Sequence, residues 1–190
     1  MKLIVGLGNP GDRYRGTRHN VGWEVLAELA RRHAPGAKPE ANFEAETLRC
    51  EIGGGPALLV SPLTYMNLSG RSVAAALRFH KLTPADALVV CDDPNLPPGR
   101  LRLRGKGSHG GQNGLRDVIE KLGTDEYPRL RVGVGRPPGK MDAAAYVLAR
   151  FADDERPEID LAVQDAADAC ERWAADGLQA AMNLANAPPP

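Results

Sequence analysis

Lys2-Leu3-Ile4-Val5-Gly6-Leu7-Gly8-Asn9-Pro10-Gly11 opens the chain with an apolar run that stops in a glycine-rich loop. The run predicts a short buried strand from Lys2 to Leu7. Gly6, Gly8 and Gly11 also match the dinucleotide-binding spacing Gly-x-Gly-x-x-Gly that follows a strand. What comes next opposes that reading. A dinucleotide fold starts its helix inside this loop, whereas Pro10, Gly11 and Gly16 delay the next helical pattern to about Val21. The second strand with an acidic tip is missing too, because that stretch reads as a helix from Val21 to Arg32. The loop therefore belongs to another α/β arrangement.

Outward from the loop, strand and helix patterns alternate. Asn20 is placed to cap the first helix, and Val25, Leu26 and Leu29 mark its buried face. Strands near Ala45 to Ile52 and Pro56 to Ser61 meet across Gly53-Gly54-Gly55, which predicts a hairpin. Ser69 is expected to cap a helix through Phe79, and the strand Ala87 to Cys91 ends on Asp92-Asp93. A basic strand around Arg100 to Arg104, a loop holding His109, a helix from Leu115 to Leu122 and a strand from Arg129 to Val134 follow. Helices near Ala143 to Ala149 and Pro157 to Ala175 fill much of the remainder, and residues 188–190 are expected to fray. The alternation predicts the α/β class: a single three-layer α/β/α domain over residues 1–187, its twisted mixed β-sheet flanked by helices.

Composition bounds the function classes. With 190 residues, 43% hydrophobic and 25% charged, the chain has the content of a soluble globular domain with a buried core. The apolar start is too short for a signal-peptide core, and no run approaches the roughly 20 apolar residues of a membrane span. Cys50, Cys91 and Cys170 are odd in number and widely spaced, as expected of reduced thiols in a cytoplasmic protein. No histidine or cysteine has a partner at metal-ligand spacing, so neither a metal nor another cofactor is expected.

A formal net charge of zero hides an asymmetry. Residues 100–136 hold nine Lys/Arg against four Asp/Glu, while residues 151–190 hold two against nine. In Arg100-Leu101-Arg102-Leu103-Arg104 the cations fall on one face of a strand, and Arg129-Leu130-Arg131 repeats the spacing. Two arginine ladders predict a surface for an anionic polymer; a solvated charged face is the plainer reading of charge alone.

Three loops set asparagine beside glycine: Gly8-Asn9-Pro10-Gly11, Asn67-Leu68-Ser69-Gly70 and Gln112-Asn113-Gly114. Glycine admits close backbone approach and asparagine offers uncharged donors and an acceptor, which suits a polar substrate bearing carbonyls, riboses or phosphates. The first loop runs on to Thr17-Arg18-His19-Asn20 just before a helix, where His19 is positioned to act as a base near neutral pH. Asp92, at the end of an apolar strand, is the candidate partner for its second ring nitrogen. No Gly-x-Ser-x-Gly elbow is present and Cys91 sits in an apolar strand, so the pair is expected to activate water rather than a nucleophilic side chain. A buried structural hydrogen bond is the alternative for His19 and Asp92.

These segments resemble, in order, a known family. Gly6 to Gly11, Tyr14, Thr17 to Gly22, Thr64 to Gly70, Asp92, Leu96-Pro97-Pro98-Gly99, His109 to Leu115 and Arg129 to Gly135 together look like the bacterial, monomeric peptidyl-tRNA hydrolases. The resemblance implies cleavage of the ester between a peptide and the 3′ ribose of tRNA, which recycles tRNA after stalled or aborted translation. It implies His19 as general base, Asp92 as its support and Asn9 as the contact that favours peptidyl- over aminoacyl-tRNA. Asn67 and Asn113 match substrate contacts, Met66 a cleft-lining position, Tyr14 and Tyr65 aromatic tRNA contacts, and Arg104 with Arg131 a phosphate clamp. Residues 136–146 resemble a mobile lid, and the implied partner is the acceptor end of peptidyl-tRNA, with no membrane. The chain departs from the family pattern at Cys91, at Pro94-Asn95 and at Gln112, where His is common. Two other classes stay open: an RNA-binding relative that has lost hydrolysis, and a small amidase or esterase, which would not need the arginine ladders.

Overall fold

The computed structural model describes residues 1–188. Its elements run β1 (Lys2–Gly6), α1 (Val21–His33), β2 (Glu40–Asn42), β3 (Ala45–Ile52), β4 (Gly55–Pro62), α2 (Ser69–His80), β5 (Ala87–Asp93), β6 (Leu101–Arg104), α3 (Asn113–Leu122), β7 (Arg129–Gly133), α4 (Ala143–Val147), α5 (Arg156–Asp176) and α6 (Leu178–Ala185). Seven strands form one sheet in the order β2-β3-β4-β1-β5-β7-β6. The β4-β1-β5-β7 centre is parallel, while β2, β3 and β6 are antiparallel additions at the edges. The sheet is mixed, as the hairpin requires. Of the expected frayed tail, the last two residues lie outside those described.

Strand alternation divides the core between the two faces. Ile4, Leu88 and Val90 join Val25 and Leu29 of α1 and Ala166 and Trp173 of α5 on one side. Leu3, Val5, Val89 and Cys91 join Val73 and Leu77 of α2 and Leu115 and Val118 of α3 on the other. Central strands covered on both faces need apolar residues at successive positions, and Leu3-Ile4-Val5 and Leu88-Val89-Val90 supply them. Gly53 and Gly54 close the β3–β4 hairpin with φ of 63° and 79°, a left-handed pair that matches the strand twist.

Where α1 begins is set by a close approach. A Cβ on Gly22 would lie 2.6 Å from the Val90 carbonyl oxygen and 2.7 Å from the Leu7 nitrogen. The helix therefore starts directly against the carboxyl ends of β1 and β5, and the residues just before it are delivered there too. Gly22→Ala is expected to push the helix off these strands and lower stability by about 1–3 kcal/mol, an overpacking cost. Thermal unfolding should show a fall in Tm of roughly 2–12 °C for a chain of this size.

Several local expectations are corrected. Asn20 does not cap α1 through its side chain, which instead holds Asn9. Ser69 is the first residue of α2, and its hydroxyl donates to the Met66 carbonyl. The third helix begins at Asn113 rather than Leu115, capped by the Gln112 side chain. The edge strand β2 and the helix α6 add to the expected elements; β2 is a three-residue exposed segment without alternation, and α6 begins immediately after Gly177.

Candidate active site

Three short turns meet at the carboxyl ends of β1 and β5. His19 lies in the 3-10 turn Arg18–Asn20, immediately before α1. Asp92 is the penultimate residue of β5, paired with Val132 of β7 and two residues past the end of the β1 pairing at Val90. His19 Nδ1 stands 2.9 Å from both carboxylate oxygens of Asp92. A carboxylate can only accept, so Nδ1 carries the proton and Nε2 is left as the basic nitrogen. Burial disfavours the charged ring, but the Asp92 charge and hydrogen bond outweigh it and raise the His19 pKa above its ordinary 6.5.

Asp92 is itself oriented. Gln112 Nε2 donates to Asp92 Oδ1 at 3.1 Å, while Gln112 Oε1 accepts from the Leu115 nitrogen at 2.8 Å. The amide is thus gripped at both ends by α3 and by the aspartate. This link is invisible in sequence, where Gln112 is only a departure from the expected histidine. Pro94-Asn95 does not disturb Asp92: Asp93 Oδ1 accepts from the Asn95 nitrogen at 2.8 Å and closes a local turn beyond the strand.

Asn9 is fixed as firmly. Its backbone nitrogen donates to Asn20 Oδ1 at 2.9 Å and its carbonyl accepts from Asn20 Nδ2 at 3.0 Å. Its side-chain oxygen accepts from the Met66 nitrogen at 2.7 Å, which ties the first loop to the second. Because the amide is planar, fixing its oxygen also fixes its nitrogen.

Asn9, His19, Tyr65, Met66, Asn67, Asp92, Asn113 and Arg131 line a cleft of about 640 Å³, walled on one side by Ala143, Ala144, Val147 and Leu148 of α4 and the residue after it. Asn67 and Asn113 are exposed, whereas Met66 is buried. Tyr14 does not line this cleft; it is half-buried with the Arg13 guanidinium 4.5 Å over its ring. Arg104 is exposed on the edge strand β6, outside the cleft. Arg131 reaches the cleft but is tied to Asp93 at 3.2 Å and to the Ser108 carbonyl at 2.9 Å.

The second arginine ladder is corrected. Arg129 is only 1% exposed, stacks 3.9 Å over Tyr127 and donates to the carbonyls of Gly107, Asp125 and Tyr127. It fastens the loops around β7 instead of facing an anion. The cationic surface rests on Arg102 and Arg104, with Arg131 opposite Arg102 across the strands.

Arg18 carries no signal in the sequence beyond its place beside His19, and it does not line the cleft, yet it braces it from behind. It is 6% exposed and donates to the Arg150 carbonyl at 2.7 Å and to Glu155 at 2.6 Å. Its guanidinium lies 4.1 Å over the Tyr146 ring. One side chain thereby joins the His19 turn to the α4 wall of the cleft. Cys91, by contrast, is fully buried and its thiol pKa is pushed up by desolvation, which makes it a packing residue.

The turn that carries the histidine, the strand-end aspartate and the three asparagine loops occupy one cleft in one order along the chain. A family model described as peptidyl-tRNA hydrolase matches residues 3–190. The chain belongs to the peptidyl-tRNA hydrolase family. Among relatives, the peptidyl-tRNA hydrolase of Rhodopirellula baltica is 49% identical over 187 residues, covering 98% of each chain. That of Symbiobacterium thermophilum is 51% identical, covering 97% of this chain and 98% of the relative. The crystal structure of peptidyl-tRNA hydrolase from Acinetobacter baumannii superposes with a TM-score of 0.90 at 36% identity, over 98% of this chain and 95% of that one. This peptidyl-tRNA hydrolase family member is accordingly an enzyme, a hydrolase. No helix among its described residues is long and apolar enough to cross a membrane.

Proposed function

We propose that the chain cleaves the ester joining a peptide to the 3′ ribose of tRNA, with His19 as general base. The observation that carries this reading is the His19–Asp92 pair at 2.9 Å, opening into the cleft that the asparagines line. Nε2 of His19 takes a proton from water as its oxygen attacks the ester carbonyl. The resulting oxyanion meets amide donors of Asn67 and Asn113, and Asn9 holds the adjoining peptide amide. Collapse breaks the bond to the ribose oxygen, which recovers the proton from the imidazolium. The products are a peptide acid and a free 3′ hydroxyl. Tyr65 offers an exposed ring to an unpaired 3′ base, while Tyr14, away from the cleft, serves only a more distant part of the tRNA.

Asp92 holds the reactive tautomer and stabilises the imidazolium. Phosphates are met by Arg104 and Arg131, the latter pre-positioned by Asp93. The enzyme is read as a monomer acting on cytoplasmic peptidyl-tRNA. The assay is release of N-acetylaminoacyl groups from tRNA, with unblocked aminoacyl-tRNA as control. Cleavage of the blocked ester alone supports the assignment. Binding of tRNA without cleavage would place the chain among RNA-binding relatives instead.

Arg104→Glu tests the tRNA surface. It should weaken tRNA binding and reduce the slope of log affinity against log salt by about one for each phosphate that is no longer neutralised. A salt slope equal to wild type would remove Arg104 from the interface.

A further inference from the structure

Beyond Tyr65 the surface falls into a second depression of about 380 Å³, lined by Ala41, Phe43, Glu44, Leu63, Thr64, Leu68 and Arg71. Tyr65 lines both this groove and the catalytic cleft and forms the wall between them. We infer that the groove is a subsite for the peptide moiety of the substrate, taking residues beyond the one esterified to tRNA. The inference rests on the proposed peptidyl-tRNA hydrolysis and adds the place where the distal peptide binds.

Three observations carry it. Phe43 and Glu44 close the β2–β3 hairpin with φ of 57° and 54°, both in the left-handed region that glycine and asparagine occupy easily. Holding two ordinary side chains there is unfavourable, because Cβ crowds the backbone carbonyl. The surroundings enforce it: the Glu44 carbonyl accepts from the Leu63 nitrogen at 2.8 Å, and the Phe43 ring packs against that of Phe79, tilted by 55° with centroids 5.3 Å apart. The result is a benzyl group and a carboxylate at the rim of the groove, where glycine would leave nothing to contact a ligand.

The second observation is the Thr64 hydroxyl, buried and without a hydrogen-bond partner among the described residues. A buried donor left unpaired has lost its water without gaining a partner. Thr64 lines the groove, and turning about χ1 would let this unpaired donor meet a peptide carbonyl bound there. The third is charge. Glu44 and Arg71 pair with each other at 2.9 Å, so the groove's only acid and only base among its described lining residues balance and leave it without net charge. Exposed Leu63 and Leu68 add apolar walls. Neutral backbone and apolar side chains are what a peptide presents, and RNA does not. The cationic strands β6 and β7 lie across β5 and β1 from β4, which leads into Tyr65, so the tRNA phosphates are drawn to that side, only the terminal base reaches Tyr65, and the groove beyond it is left to the peptide.

The test compares kcat/KM for N-acetyl-leucyl-tRNA and N-acetyl-trileucyl-tRNA. Wild type should favour the longer substrate by roughly tenfold, the worth of one hydrogen bond and part of one buried side chain. Ala41→Trp, at an exposed edge-strand position, should fill the groove and bring the ratio near one. Thr64→Val keeps the shape, removes the hydroxyl and should lower the ratio by roughly two- to tenfold. An unchanged ratio in Ala41→Trp, a wild-type ratio of one, or equal loss on both substrates would each overturn the subsite. Failure of wild type to cleave even the short ester would instead sink the hydrolysis reading beneath it.

Discussion

His19→Ala should lose about 10²–10⁴ of turnover on N-acetylaminoacyl-tRNA while still binding tRNA. The reason is positional. His19 carries the free ring nitrogen that the Asp92 pairing leaves basic, and no cysteine or serine elbow stands in for it. Binding should survive because the cationic groups, Arg102, Arg104 and Arg131, are held by β6 and β7 and make no contact that depends on the His19 ring. Single-turnover cleavage and a tRNA titration on the same sample separate the two quantities. A variant with wild-type turnover would end the general-base mechanism. A variant that neither cleaves nor binds would point to a collapsed turn, which the melting temperature would reveal.

Asp92→Asn should cost a similar factor and also move the pH profile. In the wild-type site the carboxylate raises the His19 pKa against the effect of burial. The base form is therefore lost as pH falls through a value above the ordinary 6.5, and the acid limb of kcat/KM should fall there. Removing the charge leaves burial in control, so the limb shifts to lower pH. The amide can also donate to Nδ1, which would place the ring proton on Nε2 and disable the base. A large loss of rate with the acid limb displaced downward is the expected signature; a loss with the limb unmoved would make Asp92 a structural partner only. Stability has its own sense. The raised pKa contributes stability in full below the ordinary 6.5, and this fades as pH rises through the folded value. The Asn variant should therefore lose more stability at acid pH than at alkaline pH.

Much of this is readable in the chain because it is local. The hairpin Gly53-Gly54 demands left-handed backbone whatever surrounds it, and β3 spans Ala45–Ile52 as its alternation requires. Apolar runs doubly covered by helices, such as Leu88-Val89-Val90, identify central strands by composition. The placement of a histidine before a helix and an aspartate at a strand end also follows from spacing, since strand ends converge on one edge of an α/β sheet.

Other assignments depend on what packs against what. Arg129 and Arg131 share the two-residue spacing of Arg102 and Arg104, and alternation alone puts all four in the same class. Only the loops carrying Gly107 and Asp125 decide that Arg129 is enclosed by carbonyls while Arg104 meets solvent. Asn20 has the chemistry of a helix cap, yet a loop eleven residues earlier comes within reach of its amide and takes both of its hydrogen-bonding groups. Gln112 lies twenty residues from Asp92, and Arg18 more than a hundred from Arg150 and Glu155. Sequence by itself determined the elements, the family resemblance and the candidate residues. Tertiary structure alone decided which polar groups are spent inside the protein and which remain for a substrate, because hydrogen-bond partners are set by proximity in space rather than along the chain.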